Sequence, residues 1–143
     1  MRVSGEIIAA EREHSLGVTA LSVAERDRIR GRVRSLYGER RRWMWESLPD
    51  PASVQDPDAW QWIEEFVGDR ECVLLFDVDE DEEMFSVPSG AALDALLGNT
   101  CGFEFYVTDR NATYLICFNH HDFLVCCGAA KAWLLARDEE RMG

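Results

Sequence analysis

Positive charge is scarce over most of this chain. From residue 43 onward five basic residues face 21 acids, a net of −16, whereas residues 1–42 carry ten arginines against six acids, a net of +4. The whole chain stands at −12. Such a field disfavours nucleic acid and anionic membranes as partners, since both are polyanions, and it favours a basic protein partner or plain solubility. Long apolar runs are missing too, and none approaches the roughly 20 residues that a bilayer-spanning helix needs. At the N-terminus, Met1-Arg2-Val3-Ser4-Gly5-Glu6 leads into Ile7-Ile8-Ala9-Ala10, which stops at Glu11 without forming a signal-peptide core. The expected location is therefore the cytoplasm.

Catalytic signatures are also lacking. There is no G-x-G-x-x-G, no phosphate loop, no H-E-x-x-H and no nucleophile elbow, so neither a catalytic residue nor a cofactor is assigned. No C-x-x-C pair occurs. The five cysteines, Cys72, Cys101, Cys117, Cys126 and Cys127, are odd in number and each sits in an apolar stretch. They read as buried free thiols rather than as a disulfide framework.

What is present is a helical first half and a strand-rich second half. Gly5 to His14 reads as a short helix closed by Leu16-Gly17. A second helix starts at Ser22, where Ser22 and Glu25 fit a capping box, and Ile29, Val33 and Leu36 or Tyr37 recur at helical spacing. Arg26, Arg28, Arg30, Arg32 and Arg34 spread over the polar arc of that helix and read as a solvated face, or as partners of the acidic body. Arg40-Arg41-Arg42-Trp43-Met44-Trp45 follows a break at Gly38, and Leu48-Pro49-Asp50-Pro51 reads as a loop. Asp56-Pro57 opens a helix with Trp60, Ile63 and Val67 on one face and Gly68 at its end.

From residue 72 the period changes. Cys72 to Val78 is a continuous apolar run suited to a central strand. Pro88 to Leu97 reads as a helix closed by Gly98. Phe103, Phe105 and Val107 then alternate with Glu104, Tyr106 and Thr108. Asp109-Arg110-Asn111-Ala112 turns the chain, and Thr113 to Phe118 returns as the second arm of a hairpin. Phe123 to Cys126 makes a third strand, and a last helix starts at Gly128. The expected fold is α+β, with N-terminal helices and a C-terminal helix packed on one face of an antiparallel sheet of about four strands. It occupies one domain, 1–143, in which 1–70 is mainly helical and 71–143 holds the sheet and the C-terminal helix.

Three places could carry function. The acidic loop Asp79-Glu80-Asp81-Glu82-Glu83 follows Asp77 in a D-x-D-x-D pattern, but position six is Glu82 and position twelve is Pro88, so it fails as a calcium loop. It reads as a solvated loop or as a carboxylate surface for Arg or Lys of a partner. The turn Asn119-His120-His121-Asp122 has residues suited to metal binding or acid–base work, yet neighbours on an extended chain point apart, so one site could take both histidines only at a sharp bend. Asn and Asp bonding the local backbone is the simpler account, and no metal is assigned. Trp62, which should point away from the face of Trp60, could anchor an interface, together with Glu104 and Tyr106 on the outward side of their strand.

The segments Phe103-Glu104-Phe105-Tyr106-Val107-Thr108-Asp109, Tyr114 to Asp122 (YLICFNHHD) and Gly128-Ala129-Ala130-Lys131-Ala132-Trp133-Leu134 resemble the C-terminal signature, EFY…NHHD…G…WL, of a family of small uncharacterised bacterial proteins. In general look the chain is similar to the small acidic α+β immunity proteins of bacterial competition systems, the SUKH group among them. The resemblance implies a non-catalytic immunity-type protein that neutralises a basic toxin domain through its acidic surface. The partner surface would comprise Asp79, Glu80, Asp81, Glu82, Glu83, Trp62, Glu104 and Tyr106. Two alternatives stand beside it. One is a small metal-binding protein or enzyme centred on His120, His121 and Asp122. The other is a regulatory or scaffold protein.

Overall fold

The computed structural model describes residues 2–38, 48–100 and 102–142. Arg40, Arg41, Arg42, Trp43, Trp45 and Cys101 lie outside the described residues. Along the chain run α1 (Val3–His14), β1 (Thr19–Ala20), α2 (Val23–Tyr37) and β2 (Ala52–Gln55). A 3-10 turn (Ala59–Trp62) then leads into α3 (Ile63–Val67), followed by β3 (Cys72–Leu75), β4 (Phe85–Val87) and α4 (Gly90–Gly98). The chain finishes with β5 (Phe105–Thr108), β6 (Tyr114–Phe118), β7 (Phe123–Gly128) and α5 (Ala129–Met142). Among the described residues no helix is long and apolar enough to cross a membrane.

The α+β class holds, but the sheet has seven antiparallel strands rather than about four, in the order β1-β4-β3-β5-β6-β7-β2. The three unforeseen strands, β1, β4 and β2, have two, three and four residues. None is long enough to display a period of its own, and each becomes a strand by pairing with a neighbour. β1 and β4 are joined through Thr19 opposite Ser86, and β2 adds to β7 through Ala52 opposite Cys126. Short edges of this kind offer little template to another chain.

Helices cover both faces of the sheet, not one. The reason is visible in β3, β5 and β6, where every residue is buried. On the first face, the row Phe85, Leu74, Val107, Ile116, Cys126 and Ala52 crosses the sheet in register. Ile7 of α1, Ile63 and Val67 of α3, Leu93 and Leu96 of α4, and Ala130 and Leu134 of α5 pack over it. On the second face, Val73, Leu75, Tyr106, Leu115, Cys117, Val125 and Cys127 meet Ile29, Val33 and Tyr37 of α2. α2 is the cover that the alternation of Phe105–Thr108 does not reveal.

Two glycines permit close approach. A Cβ on Gly90 would lie 2.6 Å from the Glu64 carbonyl oxygen, so α4 can start against α3 only without a side chain there. Gly128 has φ +65°, and a Cβ there would lie 2.6 Å from both the Thr113 carbonyl oxygen and the Tyr37 hydroxyl. Ser22 caps α2 by accepting from the Glu25 N–H at 3.2 Å. The reciprocal half of the capping box is not made, because the Glu25 carboxylate is taken by Arg28 and Arg110.

Candidate functional site

The acidic loop is partly consumed by the fold. Asp81, only 2% exposed, accepts from the Ser4 N–H at 2.9 Å and from the Glu83 N–H at 3.1 Å. It thereby satisfies one of the free amides in the first turn of α1, whose own N-cap, Arg2, makes no side-chain cap. Burial pushes this carboxyl up, and the hydrogen bonds from Ser4 and Glu83 outweigh it, so the group is held below its ordinary 3.8. Glu83 and Glu82 face Arg26 of α2 at 2.9 and 3.8 Å. Asp79 and Glu80 remain exposed. Three more arginines of α2 also turn to the body. Arg28 reaches the Arg110 carbonyl, Arg30 that of Phe76, and Arg32 that of Asn111.

The turn at 119–122 is built by Asn119, which is 3% exposed and accepts through Oδ1 from the N–H groups of His121 and Phe123 at 2.9 and 3.1 Å. Asp122 takes φ +63°, a left-handed conformation that Asp tolerates better than most residues. This corner supplies the sharp bend that two neighbouring histidines need, and the rings of His120 and His121 lie 4.0 Å apart, tilted by 47°. Asp56 and Gln55, at the end of β2, tie the corner down through hydrogen bonds to the carbonyls of Asp122 and His121.

Glu104 and His120 meet here. Because Phe105 pairs with Phe118, the residue before β5 falls beside the residues after β6. The Glu104 Oε2 lies 2.7 Å from His120 Nδ1 and accepts from the His120 N–H at 3.1 Å. The Glu104 side chain is 11% exposed and that of His120 47%. A carboxylate at Nδ1 favours the tautomer with the proton on that nitrogen, which leaves Nε2 as an acceptor. The hairpin register is the sequence signal that brings this pair together.

Both residues line a cavity of about 530 Å³. Its walls are aromatic and aliphatic (Trp60, Leu97, Phe103, Phe105 and Phe118), with Thr100, Asn119 and Asp122 among the polar lining. Three stretches separated along the chain make it: 57–60 at the 3-10 turn, 97–105 from the end of α4 into β5, and 118–122 at the end of β6 and the corner after it. That distance is why pattern alone did not reveal it. The volume falls within the range usual for small-ligand sites.

Of the other two residues expected at a partner surface, Tyr106 lies in the interior and Trp62 stays partly exposed. Tyr106 is fully buried on the α2 face and donates its hydroxyl to the Asp77 carboxylate, 3.1 Å from Oδ1 and 3.0 Å from Oδ2. It therefore presents nothing to a partner. Trp62 is half-buried, with the guanidinium groups of Arg137 and Arg141 over its ring at 4.7 and 5.6 Å. The described thiols are buried and free. Burial is the main cause that raises Cys72 from 9.0 to about 12 and Cys127 to about 11. Cys117, fully buried, is raised well above 9.0 by burial and by the carboxylates of Glu104 and Asp77. Neutral thiols of this kind are poor nucleophiles. Among the described residues no group of three or more His, Cys, Asp or Glu side chains is placed to hold a metal ion.

The fold and this site define a class: an acidic α+β protein with helices on both faces of an antiparallel sheet and an aromatic cavity edged by a carboxylate–imidazole pair. No family model, curated protein or solved structure matches the chain.

Proposed function

We propose that this chain is a non-catalytic cytoplasmic binding protein of the immunity type, related to the small bacterial proteins whose C-terminal signature it resembles, and that it neutralises a basic toxin domain. The observation that carries this is the fate of the α2 arginines. Arg26 pairs with Glu82 and Glu83, and Arg28 with Glu25, so two of the α2 arginines are matched by carboxylates within the fold. Acids such as Asp79, Glu80, Glu64 and Asp69 stay exposed. A surface of one sign raises the encounter rate with a cationic partner and rejects anionic ones.

The test is association with the product of a neighbouring reading frame that encodes a basic domain. The paired substitution Asp79→Lys/Glu80→Lys leaves the Arg26 pairs and the Asp81 cap intact. It should slow association about tenfold at low salt, with the difference shrinking as salt rises. An unchanged rate would remove loop 79–83 from the interface, and absence of any basic neighbour that binds would remove the immunity role.

A second function is favoured by one contact, the 2.7 Å approach of Glu104 to His120 at the cavity wall. A carboxylate-oriented imidazole beside a partly apolar cavity can act as a general base toward a bound substrate or water. A small enzyme centred there, with Glu104 as orienting residue and His120 as base, would lose turnover on His120→Gln. The measurement is a screen of ester, amide and phosphoester hydrolysis with the native and His120→Gln proteins, and equal background rates would exclude it.

A further inference from the structure

We infer that the cavity edged by Glu104 and His120 is a recognition site for a cation carried on an apolar stem, an alkylguanidinium or alkylammonium group. Among the described residues its lining holds two carboxylates, Glu104 and Asp122, and neither lysine nor arginine. Its walls include the rings of Trp60, Phe103, Phe105 and Phe118. Aromatic faces carry negative electrostatic potential, so rings together with carboxylates select positive charge, while the apolar wall area rewards an alkyl chain. An anion would meet the Glu104 carboxylate at a depth where water screens it little, and a neutral alkyl group would leave that carboxylate without gain.

The molecule already holds this constellation once with its own residues. Trp62, two positions after Trp60, is covered by Arg137 and Arg141, and those guanidinium groups are in turn held by Glu65 and by Asp56. Indole, guanidinium and carboxylate thus stack together on one side of the 3-10 turn. The indole of Trp60 and the Glu104 carboxylate line the cavity. His120 contributes orientation, because its N–H and its Nδ1 both engage Glu104 Oε2 and fix that carboxylate at the wall. Asn119 holds the His120 corner in place.

The cation has two natural sources, a small free amine or guanidine and an Arg or Lys side chain of a protein. The latter would place the cavity within the interface of the basic partner proposed above, but the inference does not depend on that interface, and Asp79→Lys/Glu80→Lys should leave cavity binding unchanged.

The test is titration of the full chain with butylguanidinium, with n-butanol and butanoate as neutral and anionic matches, followed by the NMR shift of the Trp60 indole N–H. Saturable shifts are expected with butylguanidinium alone. Glu104→Gln, which keeps shape and removes charge, should weaken binding about tenfold or more. Asp122→Asn, which preserves the left-handed corner, should weaken it about twofold and serves if the first variant fails to fold. Equal binding of butanol, preference for butanoate, or affinity unchanged in both variants would overturn the proposal. Binding of N-acetyl-arginine methylamide within a few-fold of butylguanidinium would assign the source to a protein side chain, and binding of agmatine but not of the blocked arginine would assign it to a small molecule.

Discussion

Replacing Tyr106 by Phe removes one oxygen atom from a fully buried site and separates two accounts of that residue. The hydroxyl lies 3.1 and 3.0 Å from the two oxygens of Asp77, which is itself only 4% exposed. Phe fills the same ring volume, so packing against Val73, Leu75, Leu115 and Cys117 is retained and the loss is electrostatic. A hydrogen bond to a carboxylate contributes about 1.5–3 kcal/mol, and stripping a buried acceptor of a donor falls in the same range. The substitution should therefore cost about 2 kcal/mol, or about 5–8 °C in Tm for a chain of this size. Urea unfolding followed by circular dichroism should show a lower midpoint at unchanged slope. Combining Tyr106→Phe with Asp77→Asn in a double-mutant cycle should return a coupling of about 1 kcal/mol or more. A single-site loss below about 0.5 kcal/mol, typical of a surface position, would refute the buried pair and return Tyr106 to a partner-facing role.

Three further outcomes follow from other sites. Gly128→Ala should cost about 2–5 kcal/mol, because the left-handed backbone penalty adds to a clash with Thr113 and Tyr37; Gly68→Ala, whose Cβ meets nothing within 4 Å, should show only the backbone part in the same unfolding assay. Asp81 has a depressed folded pKa, so its contribution is present above its unfolded value of 3.8 and is lost as pH falls through the folded one. Midpoints measured from pH 6 to pH 3 should drop more steeply at the acid end in the native protein than in Asp81→Asn, and parallel curves would show that the α1 cap contributes nothing. At pH 8 a thiol reagent mapped by mass spectrometry should spare Cys72, Cys117, Cys126 and Cys127 until denaturant is added, whereas fast modification of Cys117 in native protein would contradict its burial.

The β5–β6–β7 meander was legible because its strands carry their own turn chemistry. Asp109 accepts from Asn111 and Thr113, and Asn119 from His121 and Phe123, as those residue types do. The helix at Ser22 was legible through its cap, and α4 through its apolar spacing. β1, β4 and β2 were not, since two to four residues hold too little pattern, and the partners of β1 and β2 lie far along the chain. The second covered face was hidden by Tyr106 and Thr108, whose hydroxyls mimic an outward strand face while bonding inward to Asp77 and to the Tyr114 carbonyl. Loop 79–83 was recognisable as acidic, but local sequence could not show that Asp81 would cap a helix 77 residues earlier. Glu104, His120 and Asp122 were each singled out, and the register of one hairpin turns them into a single site.

The pairing order of the sheet has a consequence for synthesis. The native partners of the N-terminal elements lie downstream: Ser4 with Asp81, Thr19 with Ser86, Arg26 with Glu83, Tyr37 with Ala112, Ala52 with Cys126. The members of each pair are 57 to 77 residues apart, so at about 5–20 residues per second the first third of the chain waits several seconds on the ribosome before these contacts exist. During that wait it is an arginine-rich, partly apolar segment with nothing to cover. The strongly acidic remainder then arrives as the complement it lacked. In that order of events the pairs of Arg26 with Glu82 and Glu83 can close α2 onto the body only after the loop has been synthesised.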